Sequence, residues 1–160
     1  MPFSICGEKV ILIAHRGNIH GPNIEKENHP DYIDTALSLG YDIEMDVRGG
    51  ITEGFYLGHD EKQYKVEPLW FFERSEKLWI HCKDLPSLHF FSKFDKTFNS
   101  FWHQEDYYTL TTQNFIWTYP GHVLSNQSIC VMPESANEPY TLEALQHCAG
   151  ICTDYVEKYK

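Results

Sequence analysis

The chain has 160 residues, 42% of them hydrophobic and 15% aromatic, enough apolar mass for one domain with a sizeable core. Its formal net charge is −10 with no run of Lys or Arg. That excludes the broad cationic surface nucleic-acid binding needs, but not a small anion held by one or two local cations.

Residues 10–15 are apolar and rich in branched side chains, which predicts a buried strand. A polar loop with Gly17, Gly21 and Pro22 follows. Pro30 suits a first helical position, Asp31 favours the positive end of the dipole, and Gly40 suits the residue after the last turn. Ile33, Ala36 and Leu37 give that helix an apolar stripe. A strand over residues 41–47 completes a βαβ unit, so the two strands are expected to be parallel.

Residues 48–77 hold a hairpin turn expected at Gly49-Gly50, the Gly58-His59 segment and the aromatic stretch of residues 69–72. Further strands are expected at 78–82, 99–103, 115–119, 128–132 and 150–154. Helices are expected at 85–94 and after Thr141. These runs lack the alternation of half-solvated strands and read as parallel strands buried on both faces. The prediction is an α/β fold, a small, helix-poor (β/α) TIM-like barrel over residues 1–160. The connection from Tyr119 to Ser128 is too short for a helix. A flavodoxin-like open sheet fits the length better and the strand count worse.

The five cysteines include no CxxC pair, and three sit inside apolar runs, which favours a reducing compartment. With no charged leader before a long apolar stretch and no apolar run near membrane-spanning length, a soluble cytoplasmic protein is expected.

The apolar runs end in residues that are costly to bury. His15-Arg16 ends the first strand, Glu44 and Asp46 lie two apart on one face of the second, and His59 follows Gly58. His81 and Lys83 end another strand. Two carboxylates on one buried face repel unless a cation lies between them or one is protonated, and a divalent metal is the simplest answer. Arg16 suits an anion and the histidines suit proton transfer. In isolation each is equally a surface or salt-bridge residue; their placement at one sheet end argues for a site.

In order and at similar spacing, His15-Arg16-Gly17, Glu27-Asn28, Glu44-x-Asp46 and Gly58-His59-Asp60 resemble the pattern of the glycerophosphodiester phosphodiesterase family. Thr153-Asp154 resembles that family's last-strand pair. The resemblance implies a barrel that cleaves small phosphodiesters with a bound divalent cation, Mg²⁺ or Ca²⁺ first. It implies His15 and His59 as general base and acid, Glu44 and Asp46 as metal ligands, and Arg16 and Lys83 as phosphate contacts.

Two departures stand out. The position of the third acidic ligand is His81, which makes Mn²⁺ or Zn²⁺ more favourable and marks Glu105 as a substitute ligand. The chain also leaves little length for an inserted subdomain or a full ring of helices. With His81 as ligand, metal affinity is expected to fall as pH drops through about 6. Replacing Asp46 by Asn is expected to relieve repulsion and leave the metal-free fold unharmed. The rival reading is a phosphate-ester-binding module with weakened catalysis.

Overall fold

The computed structural model describes residues 9–160; Cys6 and the segment inspected for a leader lie outside the described residues. The chain runs β1 (Ile11–His15), α1 (Pro30–Ser38), β2 (Asp42–Gly50), β3 (Gly54–Leu57), β4 (Tyr64–Val66), α2 (Pro68–Phe72), β5 (Leu78–Cys82) and α3 (Leu85–Ser92). It continues through β6 (Asn99–Phe101), β7 (Tyr108–Leu110), β8 (Ile116–Thr118), β9 (Ser128–Val131), α4 (Leu142–His147) and β10 (Gly150–Thr153).

Seven parallel strands follow one another in the order β6-β5-β2-β1-β10-β9-β8, with β7 antiparallel at the end. The sheet curls into a half-barrel. Among the described residues no strand pair joins β6 to β7 or β8. Across that seam Thr112 N–H donates to the Ser100 carbonyl, and Ser100 N–H donates to Thr112 Oγ1, both at 2.9 Å. The seven expected parallel strands are therefore all present, the short antiparallel strands β4 and β7 were not expected, and the sheet does not close by strand pairing.

Strand β2 has three partners. Its first residues pair with β1, its middle with β5, and its last with the antiparallel hairpin strand β3. The expected turn at Gly49-Gly50 lies inside this strand. A Cβ on Gly49 would fall 2.1 Å from the Gly54 carbonyl oxygen, and its φ is +87°, so glycine here permits close strand approach.

Parallel strands present two buried faces. Ile13, Trp79, Phe101, Trp117, Ile129, Val131 and Cys152 fill the concave side. Ala14, Ile43, Met45, Val47 and Ile80 face outward, under Ile33, Phe71 and Phe91 of the helices. Pro30 opens α1 behind an N-cap at His29. Asp84 caps α3 by accepting from Ser87 N–H, while its other oxygen accepts from Gly49 N–H at 2.8 Å. Among the described residues no helix is long and apolar enough to cross a membrane.

Candidate active site

Register brings the polar strand ends together. His15 on β1 pairs with Glu44 on β2, and Asp46 pairs with His81 on β5. Glu44 and Asp46 are 1% and 0% exposed, so their charges depend on what surrounds them.

Arg16 turns off the end of β1 in the left-handed region, with φ +53°, and its N–H donates to the Glu44 carbonyl. Its Nε lies 3.0 Å from Asp46 Oδ2, and its Nη1 donates to Glu27 Oε2 at 3.1 Å. Asn28, also left-handed and buried, closes a two-point clamp. Its Nδ2 donates to Asp46 Oδ2 and its Oδ1 accepts from Asp46 N–H.

His81 supplies the remaining positive group. Its Nδ1 is 3.4 Å from Glu44 Oε1 and 3.3 Å from Asp46 Oδ1, and its ring stacks on Phe101. Its Nε2–H donates to the His103 carbonyl at 2.8 Å, so the lone pair of a neutral ring falls on Nδ1, facing the carboxylates. Burial lowers the basicity of His81, but the two carboxylates outweigh it and raise its pKa to about 9. Asp46 is the mirror image. Burial alone would raise its pKa, and His81, Arg16 and Asn28 together hold it well below the ordinary carboxylate range.

One donor atom from each of Glu44, Asp46 and His81 can be chosen so that all lie within 4.8 Å of one another. That is the span of ligands around one ion at ~2.1–2.4 Å. Glu44 Oε2 and Asp46 Oδ1 are buried with no hydrogen-bond partner among the described residues. Lone pairs left open on neighbouring buried carboxylates, beside an imidazole held in the right tautomer, make this cluster able to hold a metal ion. Glu105 is exposed between β6 and β7 and belongs to no such cluster.

Beside the cluster stands a histidine–carboxylate pair. His15 Nδ1 lies 2.7 Å from Asp154 Oδ1, just past the end of β10, and His15 Nε2 lies 3.7 Å from Glu44 Oε2. Asn18 Nδ2 donates to the same Asp154 oxygen at 2.8 Å. Burial lowers the basicity of His15, but the Asp154 hydrogen bond and the Glu44 charge outweigh it, so its pKa is raised. Asp154 is held below its ordinary value, chiefly by His15 against the opposing effect of burial.

The other two expected residues flank the cluster. Gly58 N–H donates to the Asp46 carbonyl at 3.0 Å, which anchors His59 at this sheet end; its ring is partly exposed and lies 2.7 Å from Asp60 Oδ1. Lys83 N–H donates to the Val47 carbonyl; burial, helped by the nearby charges of His81 and then Lys83, holds the His103 pKa below normal. His15, Arg16, Glu44, Asp46 and His81 thus meet directly, while His59 and Lys83 share their end of the sheet and, among the described residues, make no side-chain hydrogen bond or ion pair with them.

Glu27-Asn28 and Thr153-Asp154 stand in the sequence as motif residues without an evident task; the structure sets Glu27 against Arg16, Asn28 against Asp46 and Asp154 against His15. Asn18, which bonds Asp154, and the His103 carbonyl, which bonds His81, carry no local signal in the sequence. A cavity of about 530 Å³ lies at the opposite strand ends, lined by Val10, Leu12, Leu39, Tyr41, Leu145 and Tyr159, and contains none of the cluster.

Comparison with models of known protein families, with curated proteins and with solved structures finds no match to this chain.

Proposed function

We propose that this chain is a metal-dependent phosphodiesterase acting on small, glycerophosphodiester-like substrates. The observation that carries this reading is the convergence of the His15–Asp154 pair, Arg16 and the Glu44/Asp46/His81 cluster on one sheet end. An acid–base histidine with an orienting carboxylate, beside an anion-binding cation and a metal cluster, suits attack at a phosphodiester.

Glu44, Asp46 and Nδ1 of His81 would hold the divalent cation. A cation bound there supplies positive charge to the phosphoryl oxygens. The nitrogen donor shifts the preference from Ca²⁺ and Mg²⁺ toward Mn²⁺ and Zn²⁺ relative to an all-oxygen site. Arg16 would offer Nη2 to a phosphoryl oxygen, its Nη1 being bonded to Glu27 and its Nε lying against Asp46. Lys83 would approach from β5. His15 Nε2, made more basic through Asp154, takes the proton of an attacking water or neighbouring substrate hydroxyl. His59 returns a proton to the leaving alkoxide.

One observation favours the second reading, a phosphate-ester-binding module. Protonated His81 and Arg16 already lie against Glu44 and Asp46, so much of the carboxylate charge is offset without a metal. Turnover of bis-(p-nitrophenyl) phosphate and glycerophosphodiesters with Mg²⁺, Ca²⁺, Mn²⁺ or Zn²⁺, against a chelator control, separates the two. The phosphodiesterase reading requires metal-dependent turnover that His15→Ala abolishes. Phosphate-ester binding without turnover under any metal would refute it in favour of the module.

A further inference from the structure

His59 differs from the other acid–base histidine in having no strand beneath it. It sits on the loop after β3, and its only side-chain partner among the described residues is Asp60, which is almost fully exposed. A side chain that must meet a leaving group within hydrogen-bond reach needs a firmer mount than that. We infer that Arg48 is the mount, a positioning residue that fixes the His59 backbone against the metal-cluster strand. The chemical consequence rests on the proposed function; the structural link does not.

Arg48 lies on β2 two residues beyond Asp46, so Glu44, Asp46 and Arg48 project from one face of the strand. Its Nε donates to the Gly58 carbonyl at 3.2 Å, and its Nη2 donates to the His59 carbonyl. Successive carbonyls of an extended strand point in opposite directions. Both of these point at one guanidinium, so the chain bends at Gly58 and Arg48 holds the bend. Gly58 has φ +151°, and a Cβ there would fall 2.1 Å from the Glu61 carbonyl oxygen, which leaves no room for a side chain inside the turn. The Gly58 N–H meanwhile donates to the Asp46 carbonyl. The 58–59 segment is therefore tied to β2 at three points, two of them through Arg48.

The chemistry of the side chain matters. Loop carbonyls at a surface can be satisfied by water, whereas a half-buried guanidinium gives up solvent and rotamer freedom to reach them. Two charge-assisted hydrogen bonds from a rigid fork offset that cost. A lysine ammonium reaches the same region as a point charge and cannot reproduce the fork. Arg48 touches no reacting atom in this scheme; it acts by setting where His59 begins.

The test uses the full chain carrying Arg48→Met or Arg48→Lys. Amide hydrogen exchange is followed at Gly58 and Gln63, whose N–H groups bond the Asp46 and Leu57 carbonyls. Arg48→Met should speed exchange at these amides by about tenfold or more while those of β1 and β5 hold their wild-type rates. With the metal-loaded protein and bis-(p-nitrophenyl) phosphate, kcat should fall about tenfold or more with KM changed less than about twofold. Arg48→Lys should recover part of both losses. Wild-type exchange at Gly58 and Gln63 in Arg48→Met would overturn the assignment. So would loosened exchange with unchanged kcat. If Arg48→Met fails to fold, Arg48→Lys alone decides, by the same exchange at Gly58 and Gln63. Absence of turnover in the wild type would refute the proposed function, and the exchange rates would still decide whether Arg48 holds the loop.

Discussion

The half of the sheet built from β1, β2 and β5 differs sharply from the half built from β6, β8 and β9. The first half is backed by α1, α2 and α3 and an outer layer of fully buried Ile33, Ile43, Met45, Phe71 and Phe91. In the second, β6 and β8 are three residues long and the β8–β9 link has no helix. Every charged group of the cluster comes from the first half. The second supplies Phe101 under His81 and the His103 carbonyl that orients it. Buried charges demand a mount that does not relax, because each unpaired one costs several kcal/mol. The chain has placed them where helices and long strands hold the backbone on both sides.

Removing one charge from the first half should therefore have the largest effect. Asp46→Asn leaves protonated His81 with Glu44 alone and Arg16 with Glu27 alone. The expectation that this change would relieve repulsion reverses once those cations are seen. The metal-free protein should lose about 3–5 kcal/mol, as buried ion pairs do when one partner is removed. Metal binding and turnover should vanish. Urea melts in chelator and titration calorimetry measure both. Asp106→Asn on the exposed side of the second half should stay within about 0.5 kcal/mol, and an equal loss there would erase the contrast.

The next effect is set by pH. The folded pKa of His81 is raised to about 9, above its ordinary 6.5. Its contribution to metal-free stability is fully present below about pH 6.5 and lost as pH rises through about 9, a loss of roughly 3 kcal/mol. Asp46 has the opposite sign: its contribution is present above about pH 4 and lost as pH falls through its depressed folded pKa. A metal must displace the His81 proton, so affinity should climb with pH up to about 9, not level off above 6 as an unperturbed imidazole would. Melting curves at pH 6.5 and 9.5, with and without metal, should move in opposite directions. His81→Gln should abolish both trends, and their persistence would mean another group titrates.

Asp154→Asn tests the one charged site residue that joins the two sides of the sheet. It would cost about 1–3 kcal/mol by leaving His15 and Asn18 with a weaker acceptor. Turnover should fall by about 10² or more, and the His15 limb of the pH–rate profile should shift to lower pH. A normal profile would show that Asp154 only braces the fold.

The same contrast explains what the sequence disclosed. The seven parallel strands were legible, because strands buried on both faces read as continuous apolar runs; the short, partly exposed antiparallel strands β4 and β7 were not. The placement of Glu44 and Asp46 on one face follows from a period of two, and the level of His15 beside them follows from the βαβ unit. What was hidden depends on register between distant segments. Asp154 meets His15 from 139 residues away. Asn28 reaches Asp46 only because it adopts a left-handed backbone, and the His81 tautomer depends on a carbonyl beyond β6. Gly49-Gly50 looked like a turn because glycine pairs usually are. Here Gly49 lets β3 approach closely, Gly50 packs against Pro86 of α3, and the turn falls at residues 51–53.

The smallest expected effect probes the seam where the half-barrel fails to close. Thr112 Oγ1 accepts from Ser100 N–H and donates to the Phe98 carbonyl, both at 2.9 Å. Thr112→Val keeps the shape but leaves both groups without these partners, at a cost of about 1–2 kcal/mol. Backbone pairing of β6 with β5 survives, since Trp79, Ile80 and His81 face Asn99, Ser100 and Phe101 across that ladder. His103 is pinned further by its own ring, bonded to the Asp106 carbonyl. The carbonyl that holds His81 should therefore stay in place while the seam loosens. Metal affinity should remain within about threefold of wild type although the midpoint of unfolding falls. A parallel loss of affinity would show that β6 depends on the seam as well as on β5. In that case the two halves form one mechanical unit, and the site is only as rigid as its least closed edge.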